Sequence, residues 1–250
     1  MKKLIITTIT ATALVSSALG QGLVDFLTSA AVGNRISTNG YVGGPVTGAT
    51  APTAGLYYFA LFVSTSQTSV NGNTAPIVGF GTNDYYQSAD YHNYVFNNLG
   101  GGTPSTGWEL VGIGANVALL GRMSAISQGT TSANQVALNA DFSLTVQGVA
   151  GGATANFVAV GWSANLGSTL AAIEAWYANP YTDIGLIGQS AVATGLTLGN
   201  GAEIPISNVM GQVQGQFGGF TLGQTWIPEP GTLALAVFGG ASLLLFRRRK

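Results

Sequence analysis

His92 is the one imidazole in 250 residues and cysteine is absent, so a nucleophilic Ser or Thr would have a single imidazole to serve as general base. His92 lies in Asn83-Asp84-Tyr85-Tyr86-Gln87-Ser88-Ala89-Asp90-Tyr91-His92-Asn93-Tyr94, the most polar and aromatic stretch of the chain. Asp84, Asp90 and His92 are the right residue types for a metal or acid/base site, but a lone His among acids lacks the two-His spacing of common zinc hydrolases. A surface loop in which Tyr and Asn pack and bond locally is the simpler reading. Tyr85, Tyr86, Tyr91 and Tyr94 give that loop a second chemistry, since their rings could stack on sugars beside amides that bond hydroxyls. Eight acids lie between residues 21 and 226, and two of them could meet to hydrolyse a glycoside, yet no spacing marks such a pair. The sequence holds no calcium loop, Walker-type loop or dinucleotide fingerprint, and so gives no cofactor or metal to expect.

Chemistry of another kind is written near residue 228. Pro228 and Pro230 keep the chain extended and short of backbone donors, so an enzyme could engage it without unwinding structure. Glu229 between them offers one fixed negative charge to a cationic pocket. Gly231–Phe246 follow, sixteen apolar or small residues. As a helix they reach about 24 Å at ~1.5 Å per residue, less than the ~30 Å hydrocarbon core. Snorkelling of the basic residues Arg247, Arg248, Arg249 and Lys250, with local thinning of the bilayer, makes up the difference at modest cost. A span this short, loosened by Gly239-Gly240, suits a temporary stop better than a permanent anchor.

The charge map fits that topology. Lys2, Lys3 and Arg247 to Lys250 hold six of the eight basic residues. Residues 21–226 keep only Arg35 and Arg122 against eight acids, a net charge of −6. Basic residues beside apolar segments stay on the cytoplasmic side, which puts the acidic middle outside. That middle has no electrostatic footprint for nucleic acid. Lys2-Lys3, the apolar Leu4–Val15 and the small-x-small Ala18-Leu19-Gly20 read as a secretory signal cut after Gly20 by signal peptidase, once the translocon has engaged it. Without disulfides the exported part must hold together by burial alone.

Residues 21–226 are enough for one sizeable core. The whole chain, with 7% charged residues and 37 glycines, reads as β-structure rich in turns rather than as a disordered tail. Leu56–Val63 is apolar on both parities, as a central strand covered on each face should be. Asp141–Gln147 alternates, with Phe142, Leu144 and Val146 inward and Ser143, Thr145 and Gln147 outward. Phe157–Trp162 is a second buried run. Val209, Val213 and Phe217 share one parity against Gln212, Gln214 and Gln216, which predicts a half-exposed strand. Asn71-Gly72-Asn73, Leu99–Gly102, Ala150–Gly152 and Gly199–Gly201 mark turns. Leu166, Leu170, Ile173 and Tyr177 recur at helical spacing, with Ser168 placed to cap and Asn179-Pro180 to stop. Trp108, Trp162 and Trp176 belong to the core. Val111–Asn116 echoes Val160–Asn165, as two similar hairpins would. These elements predict an all-β fold, a jelly-roll-like β-sandwich with one short helix, made as one domain over 21–226. A signal peptide over 1–20 precedes it, and a single transmembrane helix over 232–246 closes the chain.

Ile227-Pro228-Glu229-Pro230-Gly231, the apolar segment and the terminal Arg cluster together resemble the PEP-CTERM sorting signal of Gram-negative bacteria, over residues 227–250. The segment Gly161–Gly167 resembles the Gly/Ala-rich β bodies that precede such signals. The resemblance implies an exosortase as partner, recognition at Pro228, Glu229 and Pro230, and removal of the hydrophobic tail. It implies an inner-membrane precursor that becomes a cell-surface or matrix protein, beside exopolysaccharide. A structural or adhesive role, without enzymatic activity, is the expectation; a lectin-like carbohydrate-binding module is the alternative, and a glycoside hydrolase a distant third.

Overall fold

Each parity of Tyr57–Ser64 enters a different core. Tyr57, Phe59, Leu61 and Val63 pack into one cluster of buried residues, while Ala60 and Phe62 pack into another. A strand that is apolar on both faces must lie inside a sheet covered on both sides, and the fold is built around this one. The computed structural model describes residues 21–26, 35–39, 48–49, 53–80, 89–101, 103–116, 143–180, 183–201 and 203–225.

Among the described residues the strands are β1 (Gln21–Asp25), β2 (Ser37–Asn39), β3 (Gly48–Ala49), β4 (Tyr57–Ser64), β5 (Ile77–Val78) and β6 (Glu109–Ala115). They continue with β7 (Leu144–Ala150), β8 (Thr154–Ser163), β9 (Leu186–Gln189), β10 (Ala193–Thr197), β11 (Ser207–Asn208) and β12 (Thr221–Gln224). The helices are a single turn, α1 (Ala89–His92), and α2 (Leu170–Ala178). Nine strands form the large sheet, in the order β3-β2-β12-β9-β8-β4-β6, with β10 beside one end of β8 and β5 beside β9. A small sheet in the order β11-β1-β7 stacks over it. The protein is thus mostly β and sandwich-like, as its patterning predicts. Two parallel pairings, β1 with β11 and β2 with β12, set its strand order apart from the antiparallel Greek keys of a jelly roll.

Val24 of β1 and Leu144 and Val146 of β7 close over Phe59, Leu61 and Phe157, forming the core between the sheets. On the far face, Ile173, Trp176 and Tyr177 of α2 join Tyr91, Tyr94 and Val95 over Phe62, Val160 and Trp162. Gly161 is set by this packing. It lies opposite Phe59 in the β4–β8 ladder, and a Cβ there would come within 2.7 Å of the Phe59 ring and 2.9 Å of Leu222.

Several expectations are refined. Val111–Asn116 and Val160–Asn165 are not hairpins: they carry the strands that flank β4 on its two sides. The cap of α2 is Thr169 rather than Ser168, its hydroxyl accepting from the Ala172 amide at 3.2 Å. Ser143 is fully buried, not outward. Residues 209–217 are a tight loop and not a strand. Gln216 organises it, its amide oxygen accepting from the Val213 N–H (3.2 Å) and its amide nitrogen donating to the Asn208 carbonyl (2.7 Å). Val213 is left 66% exposed at the tip. A pattern of period two cannot distinguish a strand from a loop whose side chain supplies the ladder's hydrogen bonds.

The signal peptide of 1–20, with Ala18 and Gly20, lies outside the described residues, as do Pro228, Glu229, Pro230, the membrane segment 232–246 and Arg247 to Lys250. Among the described residues no helix is long and apolar enough to cross a membrane.

Candidate functional site

The tyrosine-rich stretch folds inward where it is described. Tyr94 is fully buried and Tyr91 is 9% exposed, so neither ring is a surface for stacking sugars. The reason lies far along the chain: Tyr91 stacks on Tyr177 at 4.5 Å and 10° between planes, and meets the Phe80 ring edge-on. The Tyr91 hydroxyl donates to the Tyr177 carbonyl at 2.8 Å, and the Tyr177 hydroxyl donates back to the Tyr91 carbonyl. Tyr94 donates to the Gly79 carbonyl at 3.0 Å. Burial, reinforced by Tyr91, pushes the Tyr177 hydroxyl far above the ordinary tyrosine range, so it stays a donor. Tyr85 and Tyr86 lie outside the described residues, as do Asp84 and the side chain of Asp90. His92 is exposed, its ring edge-on to Tyr91 and its carbonyl accepting from the Asn71 amide at 2.6 Å. Among the described residues no three His, Asp or Glu side chains are placed to hold a metal.

A cleft of about 290 Å³ opens elsewhere, where the end of β4 and the start of β6 meet β7. Val63, Leu110 and Val111 give it apolar walls, and Thr65, Thr103, Ser105, Thr145, Gln147 and Glu109 give it polar ones. Its size is at the small end of ligand sites, which run from about 300 Å³ upward.

The walls are fixed by local structure. Beyond β4 the chain turns around Ser64, whose buried hydroxyl accepts from the Gln67 amide at 3.0 Å and donates to the Pro104 carbonyl at 3.1 Å. The Thr65 amide and hydroxyl reach the same carbonyl at 2.8 and 3.3 Å. Three donors on one carbonyl clamp the Thr103–Thr106 turn against β4. The Thr106 hydroxyl then closes the loop by donating to the Gly100 carbonyl at 2.8 Å, with Thr103 and Thr106 hydroxyls 2.8 Å apart.

Glu109 is half-buried and paired with Val63 in the β4–β6 ladder. The backbone at Gly100 crosses Gly107 so closely that a Cβ on Gly100 would lie 2.8 Å from the Gly107 nitrogen and 3.0 Å from a Glu109 carboxylate oxygen. The loop therefore packs on the carboxylate and limits where it can swing. Across the cleft, Gly148 has φ +74°, and the residues around it break the alternation of β7 so that Val146 and Val149 both reach the core. This bulge faces the Pro104 ring, 3.5 Å from where a Gly148 Cβ would stand.

Sequence patterning did foresee that Thr145 and Gln147 point away from the core, and the structure makes that polar parity one wall of the cleft. It gave no sign that Thr65, Thr103 and Glu109 would stand opposite, because their approach depends on strand pairing rather than spacing. The chain has no match among family models, curated proteins or solved structures.

Proposed function

We propose that the protein is an exported cell-surface or extracellular-matrix component, sorted and processed by an exosortase, whose body has a structural and adhesive role beside exopolysaccharide. The observation that carries this reading is the order of three parts in the sequence: Pro228-Glu229-Pro230, a marginal apolar span and Arg247–Lys250. The N-terminal sequence, with Lys2-Lys3, an apolar stretch and Ala18-Leu19-Gly20, supports the first step of the same route, through the translocon and signal peptidase to an inner-membrane-anchored precursor. The body is compatible with that route, since it has no cysteine and is held by two buried cores without disulfides.

The last described strand, β12, ends at Gln224, and Thr225 is fastened to Gly185 through its amide and its hydroxyl, each at 3.0 Å. Pro228 follows three positions later, beyond the last described strand. A lectin that stacks sugars on the tyrosine patch loses two of its four rings, Tyr91 and Tyr94, to the core. A glycoside hydrolase draws no support from the cleft, whose described lining residues carry the single carboxylate Glu109 where that chemistry uses two.

Intact mass of the mature protein from its own host tests the proposal. The expected product begins at Gln21 and lacks Arg247–Lys250. A chain retaining those four residues would overturn it, as would unchanged trafficking after deletion of 227–250.

A further inference from the structure

We propose that the cleft between β4, β6 and β7 is a binding site for a neutral, polyhydroxylated ligand, a short stretch of uncharged glycan, oriented by Glu109.

The lining defines the ligand class. Thr65, Thr103, Ser105 and Thr145 bring four hydroxyls and Gln147 an amide, so the cleft offers both donors and acceptors, with no cation among its described lining residues. A hydroxyl has two acceptor lone pairs besides its one hydrogen. Thr65, whose hydrogen goes to the Pro104 carbonyl, therefore still offers acceptors. Sugar hydroxyls are matched partners for such groups, each giving one hydrogen and taking others. Glu109 accepts only, and bonds to an ionised acceptor are roughly twice as strong as neutral ones, so two adjacent sugar hydroxyls donating to it would set the ring's direction. The same charge repels uronates and phosphates. Val63, Leu110 and Val111 supply the apolar surface that a pyranose C–H face requires. The volume of about 290 Å³ limits the occupant to one or two rings, with the rest of a chain running out through the open side.

The site is preorganised. The triple clamp on the Pro104 carbonyl and the Gly100–Gly107 crossing hold one wall. The β7 bulge at Gly148 holds the other. Fixing the walls before binding lowers the ordering cost that otherwise erodes weak polar recognition. The chemistry stands on the cleft alone; only the identification of host exopolysaccharide as the natural glycan rests on the adhesive reading above. Loss of sorting and loss of binding are separate results.

The full-length chain in detergent micelles, titrated calorimetrically with cellotriose, mannotriose and trigalacturonate, tests the proposal. One of the neutral trisaccharides is expected to bind with Kd of about 1 mM or tighter. Glu109→Gln is expected to weaken it about tenfold, and Thr145→Val about fivefold, with the thermal midpoint of the exposed Gln147→Ala unchanged. Because Glu109→Gln touches the loop crossing, Thr145→Val and Gln147→Ala at the opposite wall keep the test independent of loop stability. Absence of neutral-sugar binding up to about 10 mM would overturn the proposal. So would trigalacturonate binding at least as well, N-acetyl-arginine amide binding in place of sugar, or sugar affinity indifferent to all three substitutions.

Discussion

The two faces of the large sheet are closed by different means. Between the sheets the buried side chains are almost wholly hydrocarbon: Val24, Phe59, Leu61, Val146, Phe157 and Leu222 meet without polar atoms. On the other face the cover is a short helix and irregular chain, and the buried residues include Tyr91, Tyr94, Trp108, Trp162, Trp176 and Tyr177. Their polar tips fasten carbonyls that have no ladder partner. Trp162 donates to Gly167 at 2.7 Å, Trp176 to Asp183 at 3.0 Å, and Tyr94 to Gly79 at 3.0 Å. Gln189 joins them, accepting from the Val95 amide at 2.8 Å and donating to the Asn93 carbonyl at 3.1 Å. Strands satisfy their own backbone and ask only for area from what they pack on. Loops do not, so the side chains beneath them must be apolar in body and polar at the end.

That contrast can be broken most forcibly at Phe59. Phe59→Ala removes the ring that packs on Phe220 and fills the space above Gly161. Equilibrium urea denaturation is expected to show a loss of about 3–5 kcal/mol, felt through the whole fold. Gly161→Val approaches the same point from the other side: its Cβ has no room, and overpacking is expected to cost about 1–3 kcal/mol. If either change merely loosened one loop, the core between the sheets would not be what holds the whole fold together.

On the face beneath α2 the expected effects are smaller and local. Tyr177→Phe deletes the hydroxyl's bond to the Tyr91 carbonyl and the bond it accepts from the Asn97 side-chain amide at 2.9 Å; that amide still donates to the Tyr91 carbonyl at 3.0 Å, so the loss is about 1–2 kcal/mol. Hydrogen exchange should quicken over residues 91–97 and not in β4 or β8. The same hydroxyl sets an alkaline signature. Its folded pKa is raised by burial, with Tyr91 adding to the effect, so the unfolded chain loses this proton first. The contribution is intact below about pH 10, the unfolded tyrosine value, and is lost as pH rises beyond it. Unfolding stability between about pH 10 and pH 11 should therefore fall less steeply for Tyr177→Phe than for the parent chain.

The smallest effect separates two neighbours at the start of α2. Thr169→Ala removes the cap and should cost about 1 kcal/mol, whereas exposed Ser168→Ala should stay within about 0.5 kcal/mol. Thermal melts of the pair decide which residue begins the helix.

The face between the sheets was the more legible in sequence. Leu56–Val63 and Phe157–Trp162 announce covered strands by unbroken apolar runs, and β4 and β8 fall within a residue or a few of those limits. The turn at Asn71-Gly72 was equally plain, and both residues take positive φ there. The face beneath α2 misled, because Tyr91 and Tyr94 lie among polar residues and look like surface. Their burial is decided by Tyr177 and Phe80, the first of them 86 residues away in the chain. The cleft was half visible. The outward parity of Thr145 and Gln147 could be read from alternation, while Glu109 and the Thr103–Thr106 turn reach it only through the β4–β6 ladder and the clamp on Pro104.

By itself, then, the sequence determined the class of fold, the strands apolar on both sides, the acidic middle bounded by basic ends, and the order of Pro228-Glu229-Pro230, apolar segment and basic cluster. These are properties of composition and short period, which a chain carries before it folds. The tertiary structure alone decided which tyrosines are inside, which hydroxyls share a cleft, and that residues 209–217 turn back on Gln216. Those outcomes depend on pairing between segments distant in the chain, where burial and an available hydrogen-bond partner outweigh the polarity of the immediate neighbours.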